Sequence, residues 1–100
     1  MSKSILQQDL GRCWLCGEPA AWNDPLDKHH VFGGALRRKS ERDGLWVKLH
    51  HYRCHEDGPR SVHRCAAICR QLQAAAQRAW MKERGAGEEA FRAAYYKSYI

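Results

Sequence analysis

Apolar residues follow two different rhythms along the chain. Val62, Cys65, Cys69, Leu72, Ala76 and Ala79 recur at alternating steps of three and four. That spacing lines one face of a helix and predicts a long helix over about residues 60–84. Alanines at 74, 75 and 76 favour it intrinsically. Pro59 suits its first turn, Gly85-Ala86-Gly87 ends it, and Glu88 and Glu89 suit the first turn of a shorter helix to about residue 96. Upstream the apolar runs are short. Leu45-Trp46-Val47-Lys48-Leu49, aromatic and β-branched and preceded by Gly44, predicts a strand. A second short strand is expected over residues 29–32, stopped by Gly33-Gly34. Between them residues 37–42 carry Arg37, Arg38, Lys39 and Arg42 with no apolar period, and read as a basic loop. Residues 1–12 read as a polar lead-in with little to anchor it.

These elements predict an α+β fold in one domain spanning residues 1–100: a β-hairpin packed on a long helix, then a short C-terminal helix. One hundred residues provide one core, and a chain of this size often adds a metal to it. Four tryptophans and 44% hydrophobic residues exclude a disordered chain. Seventeen basic against eleven acidic side chains, a net charge of +6, favour a polyanionic partner such as nucleic acid. No apolar run is long enough for a signal peptide or a membrane span, so the expected location is the cytoplasm, with no membrane partner. Five cysteines in a reducing compartment point to metal ligation or core packing rather than disulfides.

Cys13-x2-Cys16 and His50-x3-Cys54 are two close pairs able to supply the four tetrahedral ligands of a structural zinc. His51-x2-Cys54 fits the second pair equally well. Gly17 gives the first pair the backbone freedom of a tight turn. Cys65 and Cys69 also have ligand-like spacing, but both fall on the apolar stripe, where core packing accounts for them. The remaining histidines, His29, His30, His55 and His63, come from three separate pieces of chain. Hydrolysis of a phosphodiester needs a base for the attacking water and a cation for the developing charge, and neutral imidazole can serve as base or as ligand. Adjacent residues on a strand face opposite ways, so one of His29 and His30 can hold a metal while the other faces water.

With CWLC at 13–16, DKHHVFGGALRRKSE at 27–41, GLWVKLHHYRCH at 44–55 and GPRSVH at 58–63, the chain resembles the HNH (ββα-metal) nuclease family. The likeness is to the zinc-stapled form common in small phage and prophage proteins, and it spans roughly residues 13–63. The resemblance implies metal-dependent endonucleolytic cleavage of DNA, with RNA as a second candidate partner. It places His30 as general base and His29, His55 and His63 on a catalytic divalent ion (Mg2+, Mn2+, Ni2+ or Zn2+). Cys13, Cys16, His50 and Cys54 would hold the structural Zn2+, with a histidine where relatives usually have a cysteine. The family asparagine, expected near residues 43–45, is absent, and Asp43 or a backbone carbonyl would have to replace it. Arg37, Arg38, Lys39 and Arg42 would contact phosphates. Trp46 and Trp80 are expected to be buried. Two rival readings follow from the same residues. One is a non-catalytic zinc module that binds nucleic acid or protein. The other is an interaction protein that pairs through an exposed alanine-rich helix.

Overall fold

A computed structural model describes residues 3–100. Strand β1 (Leu26–His30) pairs antiparallel with β2 (Trp46–His50), with Leu26 opposite His50, Lys28 opposite Lys48 and His30 opposite Trp46. A short 3-10 turn and helix α1 (Arg37–Arg42) connect them. A wide turn of π-helix, His51–Glu56, follows β2 directly. Helices α2 (Ala66–Arg84) and α3 (Glu88–Tyr95) complete the chain. The molecule is thus a small α+β structure with a two-stranded hairpin and helices. No described helix is long and apolar enough to cross a membrane.

The core gathers β2 and the helices. Leu45, Val47 and Leu49 are buried with Phe32, Val62, Ile68, Leu72, Ala76, Trp80, Phe91 and Tyr95. Phe91 stacks on Tyr95 at 4.7 Å between ring centroids, and Phe32 packs against both. Burial of each such ring stabilises the fold by about 1.5–3 kcal/mol. Trp46 and Trp80 are buried as expected. Of the predicted helix stripe, Val62, Leu72 and Ala76 are buried in the chain's own core.

Four local expectations need correction. The first strand lies three residues earlier than residues 29–32, because pairing with β2 recruits Leu26, Asp27 and Lys28. Residues 37–42 form a helix, not a loop. Its buried Ser40 accepts the Phe32 N–H (3.3 Å) and donates to the Leu45 carbonyl (2.5 Å), a tertiary tie that no apolar period reveals. The long helix starts at Ala66 rather than near residue 60. Residues 58–65 instead make turns bonded back to the π-turn, through Val62 N–H to Cys54 O (2.9 Å) and His63 N–H to His55 O (3.2 Å). Partly buried Cys65 packs against the core as expected, but Cys69 lies off the core face, which Ile68, Leu72, Ala76 and Trp80 take.

The lead-in is anchored too. Its described residues run along the outer edge of β2, where Ser4 Oγ donates to Trp46 O (2.6 Å) and Gln7 Oε1 accepts the Lys48 N–H (2.9 Å). The Ile5 N–H bonds the carbonyl of Gly44, whose φ of +75° is the left-handed turn that lets β2 begin. A Cβ at Gly44 would collide with the Lys3 carbonyl oxygen.

Candidate metal centres

The knuckle Cys13–Gly17 closes with a Gly17 N–H to Cys13 O bond of 2.9 Å, and Gly17 adopts φ +79°. This turn brings two sulfurs against the end of β2. Ligand atoms of Cys13, Cys16, His50 and Cys54 all lie within 4.8 Å of one another. His50 Nδ1 stands 3.3 Å from Cys16 Sγ and 3.9 Å from Cys54 Sγ. Its other nitrogen, Nε2, donates to the Pro19 carbonyl at 2.8 Å, which leaves Nδ1 with the lone pair a metal requires. His50 is fully buried, a position that an imidazole with both nitrogens engaged can occupy. His51, the alternative ligand, is turned away toward Asp27. Three thiolates and one imidazole fit a structural zinc.

The thiols of this cluster respond to one another. Burial pushes Cys13 up, but the backbone N–H groups of Cys16, His50 and Leu15 outweigh it and bring the thiol down to about 7. Burial, with Cys13 beside it, pushes Cys54 up to about 12. Arg53 lies 3.2 Å from His50 Nδ1 and 3.9 Å from Cys16 Sγ, where its charge offsets that of the sulfurs. The four residues lie close enough together to hold one structural metal ion.

The second centre is built on β1. Its alternation sends Asp27 and His29 to one face and Lys28 and His30 to the other. His29 meets His55 from the π-turn, with Nδ1 to Nε2 at 3.1 Å, and His63 from the turn before α2 completes a group of three within 4.8 Å. His63 thus reaches the group from a turn, not from inside the long helix. Burial, followed by the charges of His55, His63 and His30, holds His29 down to about 3. It is neutral at neutral pH and able to ligate. Asp27 Oδ2 accepts from His55 Nδ1 at 3.0 Å and leaves His55 Nε2 facing His29. Burial raises the Asp27 carboxyl, but hydrogen bonds from His55 and His51 outweigh it and hold it below the usual range.

His30 sits at the end of the strand and lines the same cavity of about 420 Å³ as His29, His55, His63, Arg37 and Cys69. Its Nε2 lies 2.8 Å from Glu41 Oε1 on α1. Lys28 Nζ bonds both oxygens of Glu41, at 2.9 and 3.2 Å. His30 first and Lys28 second hold the Glu41 carboxyl below its ordinary value.

Asp43 does not take the place of the missing asparagine at His30. It is buried 37 residues before Trp80, accepting Trp80 Nε1–H (3.1 Å) and Tyr95 O–H (2.7 Å) and pairing with Arg84 (3.1 Å). Of the basic block, Arg37 lines the cavity and Arg38 is exposed. Lys39 donates to the Ala94 carbonyl of α3 at 2.5 Å, and Arg42 Nε lies 3.4 Å from Asp43 Oδ1. Sequence reasoning missed Asp27, Ser40 and Glu41. Asp27 was legible in part, as a carboxylate two residues before a candidate ligand on a strand. No family model, curated protein or solved structure matches this chain.

Proposed function

We propose that the chain is a metal-dependent endonuclease of the HNH type that hydrolyses DNA phosphodiester bonds. The observation that carries this reading is the convergence of His29, His55 and His63 beside His30 on one open cavity. His30, tied to Glu41 through Nε2, presents Nδ1 to take a proton from the attacking water. Glu41 fixes the ring and compensates the charge the ring gains. A divalent cation held by His29, His55 and His63 would supply neutralisation of charge on the phosphate and the departing oxygen. Asp27 sets the tautomer in which His55 can bind it. Arg37, on the cavity wall, adds a phosphate contact without sequence choice.

The role of the absent asparagine, fixing the bend and the base, is divided in this reading between two residues of α1. Ser40 ties residue 32 to residue 45, and Glu41 holds His30. The zinc-binding module without catalysis is the second reading, favoured by that same missing asparagine.

Supercoiled plasmid incubated with the zinc-loaded protein and magnesium, manganese or nickel separates the two. Nicking by the wild type that disappears in His30→Ala, with zinc content and fold retained, supports the enzyme. Absence of nicking in both, or equal nicking in both, rejects it.

A further inference from the structure

One further group of ligating atoms overlaps the histidine centre. His51 and His55 stand four residues apart on the π-turn, a spacing by which one helical face can offer two imidazoles to one ion. Both direct Nδ1 at the same oxygen of Asp27, His51 at 2.5 Å and His55 at 3.0 Å. Ligand atoms of the three residues lie within 4.8 Å of one another. The side chains of His51 and Asp27 are 40% and 30% exposed, so an ion can enter from solvent without opening the fold.

We propose that Asp27, His51 and His55 form a second divalent-cation site that competes with the His29–His55–His63 site for His55. Competition presupposes the cation site of the proposed function, whereas binding at Asp27 and His51 does not. A neutral imidazole has one N–H and one ligating lone pair. While Nδ1–H of His55 is donated to Asp27, its lone pair on Nε2 faces His29. An ion entering beside Asp27 takes the Nδ1 lone pair of each histidine, and each ring carries its proton on Nε2 instead. His55 thereby leaves the first site. Two imidazoles and one carboxylate select borderline first-row ions such as Ni2+ or Zn2+ over Mg2+, which prefers oxygen ligands and keeps its waters.

The direct test is a calorimetric titration of zinc-loaded protein with Ni2+. A His29→Ala/His63→Ala variant, which retains Asp27, His51 and His55, is expected to bind one Ni2+. Adding His51→Ala should weaken that binding about tenfold or more. Failure of the double variant to bind Ni2+, or indifference to His51→Ala, overturns the second site. Should the double variant lose its structural zinc, the single variant His63→Ala, with and without His51→Ala, repeats the same comparison. Competition is read separately from nicking against Ni2+ concentration. Because the two sites share His55, His51→Ala should free it for the first site and raise nicking at saturating Ni2+ above the wild-type level. Nicking at saturating Ni2+ left unchanged by His51→Ala refutes competition. No nicking with magnesium, manganese or nickel refutes the proposed function, while the calorimetry still decides the second site.

Discussion

Replacing Asp43 with alanine separates architecture from chemistry. The carboxylate accepts two buried donors, Trp80 Nε1–H and Tyr95 O–H, and pairs with Arg84. Trp80 lies on α2 and Tyr95 on α3, so a single residue before β2 ties both helices to the hairpin. A hydrogen bond to a charged partner contributes about 1.5–3 kcal/mol, and truncation leaves both donors buried without an acceptor. The expected loss is about 3–6 kcal/mol, a large share of the roughly 5–15 kcal/mol that holds a typical domain together. At roughly 4–8 °C per kcal/mol the melting temperature should fall by at least about 12 °C. Arg84→Ala, which removes a partner at the edge of the clamp, should cost only about 1 kcal/mol.

The assay is urea and thermal unfolding at saturating zinc, with plasmid nicking per folded molecule measured alongside. The clamp also has a pH signature. Burial raises Asp43, but Tyr95, Trp80 and Arg84 outweigh it and hold the folded carboxyl below its unfolded value. Its stabilisation is therefore complete above the unfolded pKa, about 3.9, and is lost as pH falls through the lower folded value. Asp43→Ala should lack that component of the acid limb. A variant within about 1 kcal/mol of wild type, or one that folds normally yet loses nicking, would refute the assignment of Asp43 to architecture.

Three other outcomes are expected. Glu41→Gln should lower kcat for nicking by about tenfold or more with KM little changed, since His30 keeps its contacts but loses its charged partner; equal loss of substrate binding would contradict this. Stripping zinc with a strong chelator should abolish cooperative unfolding by circular dichroism, and restoring zinc should recover it, because the cluster's binding free energy is folding free energy. Arg37→Ala should weaken DNA binding at low salt and reduce the slope of log affinity against log salt by about one, measured by fluorescence anisotropy.

The Cys/His spacings, the second strand and both later helices were legible because each depends on local pattern. Cys13 and Cys16 close a turn within five residues, and His50 and Cys54 flank another. Spacing alone left His50 and His51 equivalent; only the Pro19 carbonyl and Asp27, each reached through tertiary folding, distinguish them. Helix α1 was illegible because a surface helix of Arg, Lys, Ser and Glu carries no apolar period, and its buried contact is a serine hydroxyl. Glu41 was missed for the same reason, since its partner His30 lies eleven residues away and meets it only once α1 forms. The start of α2 was misplaced because the apolar stripe continues through Val62, which is buried from a turn and not from a helix.

An anomalous-diffraction map of crystals grown with zinc and then soaked in nickel, collected at both absorption edges, tests the whole arrangement. The account predicts a zinc peak at about 2.0–2.3 Å from three sulfurs of Cys13, Cys16 and Cys54 and from His50 Nδ1. It predicts a separate nickel peak bounded by His29, His55 and His63 in molecules whose Asp27–His51–His55 site is empty, with Asp27 there still on His55. A disulfide in place of the zinc, or imidazoles at 29 and 55 that share no ion, would contradict it.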